Sequence, residues 1–200
     1  MLSSLVLLGQ GQIKLIYPDT TNLLNGFKYE GKLKNAVRWV DYQGDNLAII
    51  TETGEYPSKI EINEDFRDAE LFGYHFLIIN DSLIETWKVY DAIKACPLDI
   101  ETKFINNTFQ VTDLNHDNIA EVWLMYKTVC RGDMSPSNME IIMYQGQQKF
   151  EMRGYNKVEL PKNESYGGEY KFDLAFINGP KEFRKFAISL WNKHIIEAWE

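Results

Sequence analysis

The chain has 200 residues, 44% of them hydrophobic and 14% aromatic, and a formal net charge of −8. This apolar content supports a sizeable core and excludes a disordered chain. No cluster of Lys and Arg exceeds that of a solvated helix face. The composition therefore argues against nucleic acid as a partner, because phosphate-backbone binding needs a basic surface.

Residues 1–11 contain a short apolar block, Leu5 to Leu8, followed by small and polar residues. This order is typical of the end of a secretory signal peptide, although a basic n-region is missing. We therefore expect a truncated signal segment at 1–11, and export to the periplasm, the outer membrane or the cell surface in preference to the cytoplasm. An ordinary first strand is the alternative. No stretch approaches the roughly 18 apolar residues of a transmembrane segment.

Residues 12–179 alternate between strand-forming runs and turn signals. This pattern predicts one mainly β domain of antiparallel strands and hairpins, sandwich-like or propeller-blade-like. Polar loops containing Pro or Gly are expected at Gly54–Asp68 and Arg131–Asn138. The expected strands are Gln12–Tyr17, Phe27–Val40, Asn46–Thr53, Ala69–Ile79, Leu83–Ile93, Thr102–Thr112, Ile119–Val129, Met139–Tyr144 and Lys149–Arg153.

Residues 180–200 have a helical pattern. Pro180 stands where a helix favours its first residue, and the apolar residues that follow fall on one broad face. We expect a C-terminal amphipathic helix packed on the sheet, although its aromatic face could instead serve a partner or a membrane surface. The predicted face consists of Phe183, Phe186, Ala187, Leu190, Trp191, Ile195, Ala198 and Trp199.

The two cysteines, Cys96 and Cys130, leave two interpretations open. In the cytosol they would be buried thiols, whereas in an oxidising compartment they could form a disulfide. If the strands on either side of residues 113–121 pair as a hairpin, Cys130 lies opposite about Glu101, with Cys96 a few residues beyond. The bridge is then geometrically feasible, but Pro97 leaves the approach of the two chains undefined.

The stretch from Thr112 to Glu121 predicts a cation site. The side chains of Asp113, Asn115, Asp117 and Glu121 and the carbonyl of Ile119 supply oxygen ligands at the spacing that Ca²⁺ prefers. Residue 124, the twelfth position, is Leu and not Glu, which excludes an EF-hand. The loop instead resembles the calcium loops of integrin-α-type (FG-GAP) repeats, in which an aspartate-rich loop joins two strands. The alternative is a polar turn held by Asx hydrogen bonds without a metal.

A weaker copy of this stretch occurs earlier in the chain. Asp41 to Ala48 aligns with Asp113 to Ala120, but Gln43 and Ile49 replace two of the oxygen ligands. The match indicates a turn of similar shape without the charge, and an ancestral strand-loop-strand repeat would explain it.

The sequence contains no recognisable catalytic motif. Cys130 and His116 would form a nucleophilic dyad only if the fold brought them together, and neither a nucleophile elbow nor a phosphate loop is present. The histidines His75 and His194 have the sequence context of packed or solvent-facing residues. Sugar-stacking aromatic residues are conceivable, but most aromatic side chains in a β domain of this size belong to the core. The candidates are Trp39, Trp87 and Trp123.

Five segments together resemble a Gram-negative bacterial envelope family named for surface polysaccharide biosynthesis. They are VRWVDYQGDNLAIITETG, GYHF, KACPLDI, VTDLNHDNIAEVWLMYKTVCRGDMSPS and EIIMYQGQQKFEMRG, within residues 27–155. The resemblance implies a link to lipopolysaccharide or capsule formation and transfers no catalytic residue. We therefore expect a non-enzymatic exported domain, stabilised by calcium, that binds surface glycan or an envelope protein. The alternative is an enzyme that modifies or hydrolyses surface polysaccharide.

Overall fold

The computed structural model describes residues 13–16, 27–60, 65–160 and 164–197. The predicted signal segment at 1–11 lies outside these ranges. The described strands are β1 (Lys14–Ile16), β2 (Lys32–Asp41), β3 (Gly44–Pro57), β4 (Arg67–Ile79), β5 (Ser82–Cys96), β6 (Asp99–Phe104), β7 (Gln110–Thr112), β8 (Glu121–Arg131), β9 (Asn138–Gln145), β10 (Gln148–Tyr155), β11 (Lys157–Leu160), β12 (Glu164–Gly167), β13 (Tyr170–Phe172) and β14 (Ile196–Glu197). The helices are α1 (Leu174–Asn178) and α2 (Lys181–His194).

The first sheet is an antiparallel meander with the order β1-β2-β3-β4-β5. Asn80 and Asp81 form the two-residue turn between β4 and β5 with φ of 49° and 60°, the left-handed geometry that suits a tight hairpin. The predicted polar loop at Gly54–Asp68 is shorter than expected, since β3 continues to Pro57. Gly54, with φ of +69°, provides the bulge that lets the pairing with β4 resume.

The second sheet has the order β13-β10-β9-β8-β6, and β7 also pairs with β8. The prediction of one continuous strand over Thr102–Thr112 is wrong, because the strand is interrupted after Phe104. Asn107 has φ of +62°, and this left-handed residue turns the chain between β6 and β7. A third, small sheet with the order β12-β11-β14 was not predicted.

The two large sheets pack face to face. Alternate residues of each strand point into the space between them, as the two-residue period of a strand requires. Gly73 marks a close approach, because a Cβ atom there would lie 2.6 Å from Leu124 Cδ2. The prediction of a mainly β, antiparallel, sandwich-like fold is confirmed. The buried residues between the sheets include Trp39, Ala48, Ile50, Leu71, Trp87, Val122, Leu124, Tyr126 and Ile142.

The C-terminal helix covers the opposite face of the second sheet. Its buried residues are Phe183, Ala187, Leu190 and Trp191, which belong to the face predicted from the sequence. The helix ends at His194, earlier than expected, because Ile196–Glu197 leaves it to pair in parallel with β11. Ala198 and Trp199 lie outside the described residues. The short helix α1, capped by Asp173, was not predicted.

A disulfide between Cys96 and Cys130 joins the two large sheets, with the Cα atoms 5.8 Å apart. Cys96 ends β5, and Cys130 lies near the end of β8. The residue opposite Cys130 is Ile100, one position from the Glu101 expected from hairpin pairing. Within the described residues, neither helix is long and apolar enough to cross a lipid bilayer.

Candidate functional site

The predicted cation loop connects β7 to β8. His116 and Asn118 have φ of 58° and 65°, so the loop turns sharply at two left-handed residues. Asn tolerates this conformation better than most residues because its short side chain can bond to the local backbone. The structure therefore brings the predicted ligands into one compact turn.

The two aspartates of this loop bind backbone amides. Asp113 accepts hydrogen bonds from the backbone N–H of Asp117 (3.1 Å) and of Asn118 (3.3 Å). Asp117 accepts from the backbone N–H of Ile119 at 2.9 Å and from Nδ2 of Asn115 at 2.7 Å. These are the bonds of an Asx turn, and they hold the loop in shape.

Glu121 is fully buried and turned toward the start of the loop. Its carboxylate accepts hydrogen bonds from Thr112 Oγ1 (2.7 Å) and the backbone N–H of Leu114 (2.9 Å). Burial raises the pKa of Glu121, although these two donors act in the opposite direction. In the described residues, no group of three or more His, Cys, Asp or Glu side chains is placed to hold a metal ion. A cation here would also depend on the side chain of Asn115 and the carbonyl of Ile119.

The loop contacts the turn at Asp41, which is its copy in the sequence. The backbone N–H of Tyr42 donates to the carbonyl of Asn118 at 2.8 Å, and the N–H of Ala120 donates to Asp41 Oδ2 at 3.0 Å. The Asp41 carboxylate also accepts from Trp39 Nε1, the backbone N–H of Gln43 and Asn46 Nδ2. The two similar turns thus form a polar clamp, defined by Asp41, Tyr42, Asn118 and Ala120, that joins the sheets.

His75 is buried between two tryptophans. Its ring lies 5.2 Å from those of both Trp39 and Trp87. Nε2 donates to Asn46 Oδ1 at 3.1 Å, and Nδ1 contacts the hydroxyl of Thr86. Burial lowers the pKa of His75 to about 4, so the ring is neutral near pH 7. His75 is a packed residue, which agrees with its interpretation from the sequence.

A polar cleft lies where the second sheet extends past the edge of the first. In the described part of the chain, β5 is the last strand of the first sheet, while β10 and β13 continue the second sheet beyond β9. The cleft has a volume of about 530 Å³. We call it the edge cleft and define it by the lining residues Asp91, Tyr126, Glu140, Tyr144, Lys149 and Arg153.

Glu140 is the acidic centre of the edge cleft. It accepts a hydrogen bond from the hydroxyl of Tyr126 at 2.9 Å, and it forms an ion pair with Arg153 Nε at 3.1 Å. Burial raises the pKa of Glu140 despite these two partners, and the nearby Asp91 raises it further. The pKa of Tyr126 is also raised, by burial and then by Glu140, so its hydroxyl stays protonated as a donor.

The floor of the edge cleft carries alternating charges. Lys149, Glu151 and Arg153 project from the same face of β10, and Glu151 bonds to both Lys149 (2.5 Å) and Arg153 (2.8 Å). The intervening residues, Phe150 and Met152, are buried under the helices. The sequence KFEMR indicates this charged face, because every second residue of the predicted strand is charged. Only the tertiary structure reveals that no strand of the first sheet, as far as the chain is described, covers this face.

Other sequence candidates do not form sites. Cys130 is in the disulfide and cannot act as a nucleophile with His116. The tryptophans considered for sugar stacking, Trp39, Trp87 and Trp123, are 1%, 8% and 0% exposed and belong to the core. Trp87 instead supports the edge cleft from beneath, because its ring stacks on that of Tyr144 at 4.3 Å.

No protein-family model, no curated protein and no solved structure matches the chain.

Proposed function

We propose that the chain is an exported, non-enzymatic β domain that binds surface polysaccharide, of the lipopolysaccharide or capsule type, in the edge cleft. The observation that carries this proposal is the polar cleft between β5 and β10. The resemblance of residues 27–155 to a surface-polysaccharide family supplies the class of ligand. An envelope protein is the other partner that the sequence suggests.

The chemistry of the edge cleft suits a sugar. Hydroxyl groups both donate and accept hydrogen bonds, and the cleft offers donors on Lys149 and Arg153 beside acceptors on Glu140 and Asp91. The rings of Tyr126 and Tyr144 add apolar surface, on which the C–H face of a sugar can pack. Because most of the charged groups are already paired with one another, a neutral hydroxyl-rich ligand can bind without leaving an unpaired charge.

The disulfide supports export. Structural disulfides persist in the periplasm and at the cell surface and are rare in the reducing cytosol. Cys96 and Cys130 enclose a long segment and link different sheets, so their bond stabilises the whole fold. This agrees with the signal-like composition of residues 1–11.

Calorimetric titration with lipopolysaccharide and capsular fragments from the source bacterium tests the proposal. We expect Lys149→Gln to weaken binding about tenfold, the loss expected for one charged hydrogen bond. The matched control is Lys157→Gln, because Lys157 also pairs with a glutamate two residues along its strand, Glu159 at 3.1 Å, and does not line the cleft. Absence of binding by the native chain would refute the glycan ligand and leave an envelope protein as the partner. Equal losses in both variants would refute the edge cleft as the binding site.

We propose further that Ca²⁺ binds the loop at 113–121 and stabilises the strand-loop-strand unit. The ligands would be the side chains of Asp113, Asn115, Asp117 and Glu121 and the carbonyl of Ile119. The two left-handed residues, His116 and Asn118, turn the chain sharply within the loop that carries these oxygens. A bound divalent cation would also relieve the repulsion among three carboxylates, which is part of the reason why the pKa of the buried Glu121 is raised.

Hydrolysis of the bound polysaccharide is the second candidate function. Glu140 favours it, because a buried carboxyl with a raised pKa can donate a proton to a glycosidic oxygen, and Asp91 lines the same cleft. A reducing-end assay separates the two functions. Hydrolysis predicts new reducing ends that Glu140→Gln abolishes, whereas a binding domain produces none under conditions in which calorimetry detects the complex.

A further inference from the structure

We propose that a second cavity, on the helix side of the second sheet, binds a phosphate group. This lysine pocket is defined by Lys34, Lys103, Lys127, Lys193 and His194, and its volume is about 650 Å³. Lys103 and Lys127 project from the face of the second sheet opposite to the face that carries the edge cleft. The inference is therefore independent of the glycan-binding proposal.

The lining of the lysine pocket is mainly positive, although the protein as a whole is negatively charged. Its lining contains four lysines but only the two glutamates Glu52 and Glu197, in a chain whose net charge is −8. Lys193 at the end of α2 is explained by the helix dipole, which favours cations at a helix C-terminus. That explanation does not apply to Lys34, Lys103 and Lys127, which come from β2, β6 and β8.

The nearby carboxylates are shared with other donors and do not fully compensate the lysines. Glu52 pairs with Lys34 at 3.3 Å but also accepts from the backbone N–H of Phe104 at 2.7 Å. Glu197 lies 3.4 Å from Lys127 but bonds more closely to Arg131, at 2.9 Å, and to Asn156. Since each ammonium group has three N–H donors, donors remain for a ligand after these pairs form.

Lys103 and Lys127 share a third carboxylate, Glu101, which lies 2.9 Å from Lys127 and also contacts Lys103. The four lysines of the pocket are therefore near three glutamates, Glu52, Glu101 and Glu197, and positive charge is in surplus beside the cavity. Partial burial lowers the pKa of Lys103, and the proximity of Lys127 lowers it further. An anion between the two ammonium groups would remove this repulsion.

His194 supplies a polar atom without a partner. Its Nε2 is buried and makes no hydrogen bond within the described residues, although His194 lines the pocket. A buried polar atom without a partner is unfavourable, and a ligand oxygen would satisfy it. A phosphate group carries up to two negative charges and several acceptor oxygens, which matches the surplus charge and the number of donors.

Titration of the full chain with inorganic phosphate at low ionic strength, followed by ³¹P NMR and calorimetry, tests the inference. We expect saturable binding that weakens about a hundredfold in the double variant Lys103→Gln/Lys193→Gln, because two charged donors are lost. The control is Lys185→Gln, an exposed lysine on the same helix. As a second readout that needs no variant, phosphate should shift the Nε2 resonance of His194 in the native chain.

Two further ligands identify the source of the phosphate. Tighter binding of glucose 6-phosphate than of inorganic phosphate would indicate a sugar phosphate, and tighter binding to vesicles of phosphatidic acid would indicate a lipid headgroup; either result supports the site. Absence of saturable phosphate binding, an unshifted His194 resonance at saturation, or an equal loss in Lys185→Gln would overturn it.

Discussion

The two sheets are joined by different chemistry at the two ends of β8. Before its first residue, the polar clamp links Ala120 to Asp41 and Asn118 to Tyr42 by hydrogen bonds. Near its last residue, Cys130 links to Cys96 by a covalent bond. We therefore expect the stability of the polar end to depend on pH and that of the covalent end to depend on redox state. Breaking each end separately distinguishes their contributions.

Removal of the covalent link should have the largest effect on stability. The disulfide closes a segment with a sequence separation of 34. From the loop entropy of the unfolded chain, we expect the double variant Cys96→Ala/Cys130→Ala to lose about 4 kcal/mol of unfolding free energy. Urea denaturation measures this loss, and reduction of the native chain should reproduce it. A loss below about 1 kcal/mol would show that the hydrophobic core and the polar clamp hold the sheets together without the disulfide.

The polar end should be sensitive to pH through His75, which bonds to Asn46 and thereby to Asp41. The folded pKa of about 4 lies below the ordinary value of 6.5. Between these values the unfolded chain binds a proton that the folded chain does not, so stability is complete above pH 6.5 and falls as the pH approaches 4. The expected loss is about 3 kcal/mol.

The control is the pH dependence of the unfolding free energy of the variant His75→Gln. This variant should show a smaller decrease in unfolding free energy over the same pH range, because it lacks the titrating ring. The carboxyl groups contribute equally to the pH dependence of both proteins. The difference between the two curves of unfolding free energy against pH therefore reports on His75. Parallel curves would contradict the assignment of a neutral, buried imidazole.

Asp41 should contribute more to the free energy of unfolding than Asp45, which lies four residues further along the chain. The variant Asp41→Ala leaves Trp39 Nε1 and the N–H of Ala120 without an acceptor, and we expect it to lose about 2 kcal/mol of unfolding free energy. Asp45→Ala removes only a partly exposed ion pair with Arg38 and should lose less than about 1 kcal/mol. Urea denaturation of the two variants compares them. Equal losses would mean that the hydrogen bonds across the sheets contribute little.

The sequence predicted those features that depend on local periodicity. The hairpins around Gly44 and Gly146 and the buried face of α2 follow from the spacing of apolar residues. Features that depend on the packing of distant segments were not predictable. The charges of Lys149 and Arg153 were visible in the sequence. It did not show that the first sheet, within the described residues, ends at β5 and does not cover them. Likewise, Ile196 continues the helical pattern, yet pairing with Lys157 draws it into a strand.

The loop at 113–121 was likewise only partly predictable from the sequence. Alternating oxygen ligands identified Asp113 and Asp117 as a unit, and the structure brings both into one turn. Backbone amides bond to the oxygens of both side chains, as in the Asx turn that the sequence left open as the alternative to a metal site. The sequence could not decide between the two, because these bonds depend on the left-handed conformations of His116 and Asn118. The contact with the Asp41 turn was also unforeseen, since the two copies are separated along the chain by four complete strands, β4 to β7.

Calcium should have the smallest effect of these tests. At a Ca²⁺ concentration about tenfold above the dissociation constant, ligand linkage gives about 1 kcal/mol of stabilisation. For a chain of this size that corresponds to a rise of about 3 °C in melting temperature. Differential scanning calorimetry should show the rise for the native chain and not for Asp117→Asn, which keeps an acceptor for Ile119 but lacks the charge. If millimolar Ca²⁺ leaves the native melting temperature unchanged, the loop is a turn held by Asx bonds.

A crystal of the chain soaked in fragments of lipopolysaccharide and of capsular polysaccharide tests the central proposal most directly. We predict electron density for a sugar in the edge cleft, with hydroxyl groups within hydrogen-bonding distance of Lys149, Arg153 and Glu140. The ring should pack against Tyr144. Density for the fragment at any other surface, with the edge cleft holding only solvent, would contradict the assignment of this cleft as the glycan-binding site.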